Sequence, residues 1–196
     1  SLPVATAIAL VTTAITLTIA AEEPYSAVIA MGLPAIAVLS ARAFRGSWLA
    51  ILGVTLYLGI SATFYTLFTG AAALTVVSLI ALFTALYEHT WRPILRLVIM
   101  AVGSIAIAVI AWGPYLWSVM HSPVPLQTTA QHYLPEEGTQ IPVPFLSFSI
   151  VGFLCLMGLI YIVIRLNDVE VRALGISLLG IYLWTVVSMV ATLAGT

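Results

Sequence analysis

The 196-residue chain is 62% hydrophobic and 7% charged, with a mean hydropathy of +1.17; its six basic residues are all arginine, set against seven acids. Soluble domains carry about 25% charged residues, so this composition excludes a water-soluble enzyme and requires an integral membrane protein. The single Cys155 lies in an apolar run and allows no disulfide framework, and no nucleic-acid partner is expected.

The apolar runs have the length, roughly 17 to 25 residues, that a helix needs to cross a bilayer, and the short alternating strands of a barrel are missing from the pattern. The expected fold is therefore all-α: a polytopic membrane bundle of about seven transmembrane helices in one domain. The first span is expected at 2–21, and Glu22-Glu23-Pro24-Tyr25 marks its exit into water. A short second span at 26–41 carries Pro34 near its middle, which predicts a kinked helix packed against protein. The apolar stretch from Ser47 to Tyr87 is too long for one helix, and Thr69-Gly70 is the expected turn between spans 47–68 and 71–87. Span five is expected at 97–117, with Gly113-Pro114-Tyr115 ending or bending it and Tyr115 and Trp117 at the interface. An outer loop at 118–142 follows, then spans 143–166 and 173–193. Five of the ten prolines fall between Pro123 and Pro144, so extended and turning backbone is expected there.

All six arginines, Arg42, Arg45, Arg92, Arg96, Arg165 and Arg172, sit in the connections after spans two, four and six. Alternate connections share a face, and the positive-inside rule assigns that face to the cytoplasm. The opposite face then gathers Glu22, Glu23, Tyr25, His121, His132, Tyr133, Glu136, Glu137 and Gln140 and has no arginine or lysine. A desolvated carboxylate can act as a general base, and histidine titrates near neutrality and can donate a proton or bind a metal. Phosphate chemistry needs positive charge, for which histidine, a bound divalent cation or parts outside this chain are the sources open to it. Plainer readings stand beside these. Glu136-Glu137-Gly138 also reads as a solvated turn, and Pro135 between His132 and Glu136 argues against a helical metal pair; no metal ligand is assigned. Tyr65, about one turn from Gly70, reads as helix packing or as the lining of a cavity. A chain that enters a span immediately after Ser1 and stops immediately after another is expected to be an internal piece of a longer membrane protein.

Four stretches carry a resemblance: Glu23-Pro24-Tyr25-Ser26-Ala27, Ala62-Thr63-Phe64-Tyr65-Thr66-Leu67, the loop Ala130 to Gly138, and Tyr182 to Met189. In that order they resemble the galactan 5-O-arabinofuranosyltransferases of mycolic-acid-containing actinobacteria. The resemblance implies part of a GT-C-type transmembrane domain, acting at the outer face of the plasma membrane in arabinogalactan synthesis. It further implies decaprenyl-phosphoryl-arabinofuranose as donor, galactan as acceptor, membrane lipids as surroundings, and a catalytic base upstream of Ser1. Matched position by position, it points to His132, Tyr133, Glu137, Glu23 and Tyr25 as substrate-binding residues, to which Gln140 on the same outer face and Tyr65 beside the outer turn are added. Phe64 stands where the family pattern expects tryptophan, and Glu136 holds a site that need not be acidic. The competing reading is a polytopic transporter or flippase of a lipid-linked sugar.

Overall fold

The computed structural model describes residues 24–121 and 143–193. Their helices are α1 (Pro24–Phe44), α2 (Trp48–Phe64), α3 (Thr66–Ala72), α4 (Ser78–Glu88), α5 (Arg92–Met120), α6 (Ile150–Ile164) and α7 (Val169–Leu193). A π-helical segment, Ala73–Val77, joins α3 to α4 into one rod, and a 3₁₀ turn, Pro144–Leu146, precedes α6. Three helices are long and apolar enough to cross a membrane: Thr69–Glu88, Arg92–Met120 and Val169–Val187. The regular structure of the described residues is thus all helical, in six rods, with three of their helices apt to span a membrane. The expected first span, 2–21, and the expected loop from residue 122 onward lie outside them.

The boundaries depart from the sequence expectation in instructive places. The break between the third and fourth expected spans falls at Tyr65 (φ −148°, ψ 84°), and Thr69-Gly70 lies inside α3. An isolated glycine costs a helix only about 1 kcal/mol against alanine, too little to force a turn. At Tyr65 the carbonyls are instead diverted. Ala62 O accepts from Trp112 Nε1 (2.9 Å) and from Thr66 Oγ1 (3.0 Å), and Thr63 Oγ1 bonds back to Ile60 O (2.7 Å). Hydroxyl back-bonding of this kind competes with the helical ladder. Pro114 does not end α5 either, which continues to Met120; at 1.5 Å per residue its 29 residues span about 43 Å. The second expected span is longer than read from the sequence, because Arg42 belongs to the last turn of α1, where a cation is favoured by the helix dipole. Conversely, α6 starts only at Ile150, capped by Ser149, whose side chain accepts from Gly152 N.

The core lies between α1, α2, α4 and α5, with Leu33, Ile36, Ala37, Phe44, Val54, Leu58, Val77, Ile80 and Met100 buried together. Small residues bring the helices close, as expected where lipid offers no hydrophobic drive for association. The Tyr57 ring lies on Gly32 and its hydroxyl donates to Ile29 O, joining α1 to α2. Ile107 packs on Gly59, Thr55 packs on Gly103, and Ser104 Oγ donates to Thr55 O (3.1 Å), joining α2 to α5. Gly180 of α7 lies against the Thr75 carbonyl in the π segment, where a Cβ would come within 2.1 Å of the oxygen.

Candidate functional site

The connections close the bundle at two ends of different chemistry. The turn between α1 and α2, the end of α4, the start of α5 and the start of α7 meet at one end. Gly46 in that first turn has φ +112°, open to glycine and strained for other residues. The Arg96 guanidinium, from the first turns of α5, packs against Gly46 and donates to Phe44 O. Arg42 pairs with Glu170 at 2.7 Å. Arg172 stands 4.8 Å from the Tyr87 ring centre and 5.5 Å from that of Phe83, within cation–π range. The structure therefore brings arginines from all three arginine-bearing stretches of helix and loop to one face, as the alternation of connections predicts.

Because α1 and α2 run antiparallel, the opposite end holds the start of α1, the Tyr65 break, the end of α5 and the start of α6. Tyr25 lies in the first turn of α1 and Tyr65 in the break, so these two sequence-predicted residues share an end. His121 caps α5 there, its Nδ1 2.8 Å from Trp117 O and its ring 4.3 Å from that of Trp117. Glu23, His132, Tyr133, Glu137 and Gln140 lie outside the described residues. The chain leaves the described part at His121 and re-enters it at Val143, both at this end. Among the described residues no group of three or more His, Cys, Asp or Glu could hold a metal ion.

Below the break, between α2, α3, α4 and α5, is a cavity of about 510 Å³. Its wall is aliphatic and small: Leu58, Ala73, Leu74, Val77, Leu97, Met100, Ala101 and Ile105 line it, and Gly70 faces open space. Four hydroxyls reach the wall, and each is turned to a backbone carbonyl: Thr66 to Ala62, Thr69 to Tyr65, Ser78 to Ala73 and Ser104 to Thr55. With its polar atoms already satisfied, the cavity suits a hydrocarbon chain and offers little to a sugar. Tyr65 stands above it, while its neighbours Ala62, Thr66 and Thr69 form the wall. Sequence reasoning assigned Trp112 no role at the break, where its indole N–H donates to the Ala62 carbonyl. The run of hydroxyls at Ser61, Thr63 and Thr66 was the available signal, since Ser61 and Thr63 bond carbonyls of their own helix and Thr66 bonds one across the break.

A family model described as arabinofuranosyltransferase N terminal matches residues 1–196. The chain is 51% identical over 195 residues to a galactan 5-O-arabinofuranosyltransferase of Corynebacterium glutamicum, covering 100% of this chain and 30% of that protein. It is 40% identical over 190 residues to the protein of the same name from Mycolicibacterium smegmatis, covering 94% of this chain and 30% of that one. For the Mycobacterium leprae protein of that name the identity is 35% over 209 residues, covering 96% and 33%. The chain thus spans about a third or less of the length of these relatives.

Proposed function

The chain belongs to the arabinofuranosyltransferase N-terminal family, and from that premise we propose that it forms membrane-embedded machinery of a GT-C-class glycosyltransferase. The reaction proposed is transfer of arabinofuranose from decaprenyl-phosphoryl-arabinofuranose to cell-wall galactan. A carboxylate takes the proton of the acceptor hydroxyl, the oxygen attacks the anomeric carbon, and the lipid phosphate leaves. The positive-inside rule puts the arginine end in the cytoplasm and the Tyr65 end outside. On that outer side His132, Tyr133 and Gln140 hydrogen-bond the donor phosphate or sugar hydroxyls. Glu137 orients the sugar or a cation, and Glu23, Tyr25 and Tyr65 complete the surface.

The observation that carries this reading is the cavity beneath the break, in a chain matched to the family over its whole length. An aliphatic cavity of about 510 Å³ suits part of the isoprenoid chain of a lipid-linked donor, with its phosphate and sugar at the outer end. Charged side chains of the described residues sit at the connections and helix ends, which counts against a transporter or flippase, where ionisable groups gather near the midplane.

Gly70→Leu tests the assignment. Leucine favours a helix over glycine by about 0.8 kcal/mol, so the melting temperature should hold or rise while the side chain fills the cavity. In a membrane assay of arabinosyl transfer, KM for the donor should rise on the order of tenfold, equivalent to about 1.4 kcal/mol of lost binding. Transfer with unchanged donor KM would remove the cavity from the donor site.

A further inference from the structure

At the arginine end, two cavities meet at Thr90. One, of about 300 Å³, is polar and lined by Phe44, Arg45, Glu88, Thr90, Arg92 and Arg96. The other, of about 360 Å³, is apolar and runs between α4 and α5 along Leu82, Leu86, Trp91 and Ile94. We propose that this pair is a binding site for an anionic phospholipid, with the headgroup phosphate in the arginine pocket and an acyl chain in the groove.

Three guanidiniums and one carboxylate line the polar pocket, a positive excess that an anion would balance. Arg96 is held in place by the Phe44 carbonyl and Gly46, which leaves most of its five donors uncommitted to that bond. Among the described residues Arg45 and Arg92 form no ion pair; Arg42 instead takes Glu170. The start of α5 also lies here, and the positive end of its dipole is directed to the same pocket. Arginine forks match phosphate oxygens well.

A free phosphate would account for the arginines and leave the groove unexplained. The groove begins at the Thr90 edge of the pocket and is open to its surroundings, with Leu86 67% and Trp91 83% exposed. In a membrane protein those surroundings are lipid, and a tryptophan at a charged end marks the headgroup level. An arginine pocket continuous with an apolar groove is the shape of an amphiphile. Basic pockets between transmembrane helices bind anionic headgroups by this chemistry. The site shares no lining residue with the cavity assigned to the donor and is independent of that assignment.

Protein extracted intact in mild detergent is titrated separately with phosphatidylglycerol, phosphatidylcholine and inorganic phosphate, and bound ligand is counted by native mass spectrometry. Phosphatidylglycerol is expected to bind roughly tenfold more tightly than phosphatidylcholine. Arg45→Gln/Arg92→Gln should abolish that preference, while Arg165→Gln, on the same face and outside the pocket, should retain it. Both substituted arginines are exposed, so the double variant keeps its core. Thr90→Asp, which places a carboxylate where the cavities meet, should abolish the preference independently. Equal binding of the two lipids, or a preference that survives in both variants, overturns the site. Inorganic phosphate that occupies the pocket and is not displaced by phosphatidylglycerol overturns the lipid as the ligand.

Discussion

At the arginine end of the bundle, helices are tied by long charged side chains: Arg42 to Glu170, Arg96 to the Phe44 carbonyl, and Arg172 over Tyr87 and Phe83. Around the Tyr65 break the ties are neutral and short, with Trp112 and Thr66 on the Ala62 carbonyl and Thr69 on that of Tyr65. Both ends leave the same kind of backbone carbonyl to be satisfied. The difference follows from surroundings. A charge at membrane depth is costly, so donors near the cavity are hydroxyl and indole groups, whereas guanidiniums at the arginine end reach the polar headgroup layer. A neutral donor in an apolar place is expensive to remove, and an exposed ion pair is not.

Three substitutions sharpen or break that contrast, read as melting temperatures of the detergent-extracted protein. Gly46→Ala should have the largest effect. It forces a side chain into φ +112° and against Arg96, with a Cβ 3.2 Å from Nη2, and should cost about 1–3 kcal/mol. Trp112→Phe keeps the packing and removes the bond to Ala62 O; about 1 kcal/mol should be lost, with faster amide hydrogen exchange at Tyr65 and Thr66. Arg42→Gln should leave the melting temperature unchanged, because the Arg42 and Glu170 side chains are 55% and 44% exposed and solvent screens the pair. An Arg42→Gln loss larger than that of Trp112→Phe would invert the comparison.

Much of the fold was legible because its signals are local. The length of an apolar run sets the approximate length of a membrane helix, and the alternation of arginine-bearing connections sets which ends share a face; Arg42, Arg96 and Arg172 do lie at one end. The break at Tyr65 was misplaced to Thr69-Gly70 because the deciding donor, Trp112, is 50 residues away from the carbonyl it binds. Pro114, expected to end or bend its helix, does not end it, and α5 runs on to Met120. In a bilayer the carbonyl that a proline leaves free can be satisfied by neighbouring groups, and those are set by packing. Of the expected binding residues, Tyr25 and Tyr65 fall at one end; their binding roles, like those of His132, Tyr133, Glu137, Gln140 and Glu23, stand as proposals.

By itself the sequence determined that the protein is helical and lives in a membrane, and its motifs pointed to its family. Hydropathy, charge placement and short motifs are properties of residues in order along the chain. Only the tertiary structure decided where α2 and α3 part, that four hydroxyls at the cavity wall are already bonded, and that Arg45, Arg92 and Arg96 line a pocket sharing Thr90 with an apolar groove. Each depends on which groups from distant helices compete for one carbonyl or enclose one volume, and such competition exists only once the helices are packed.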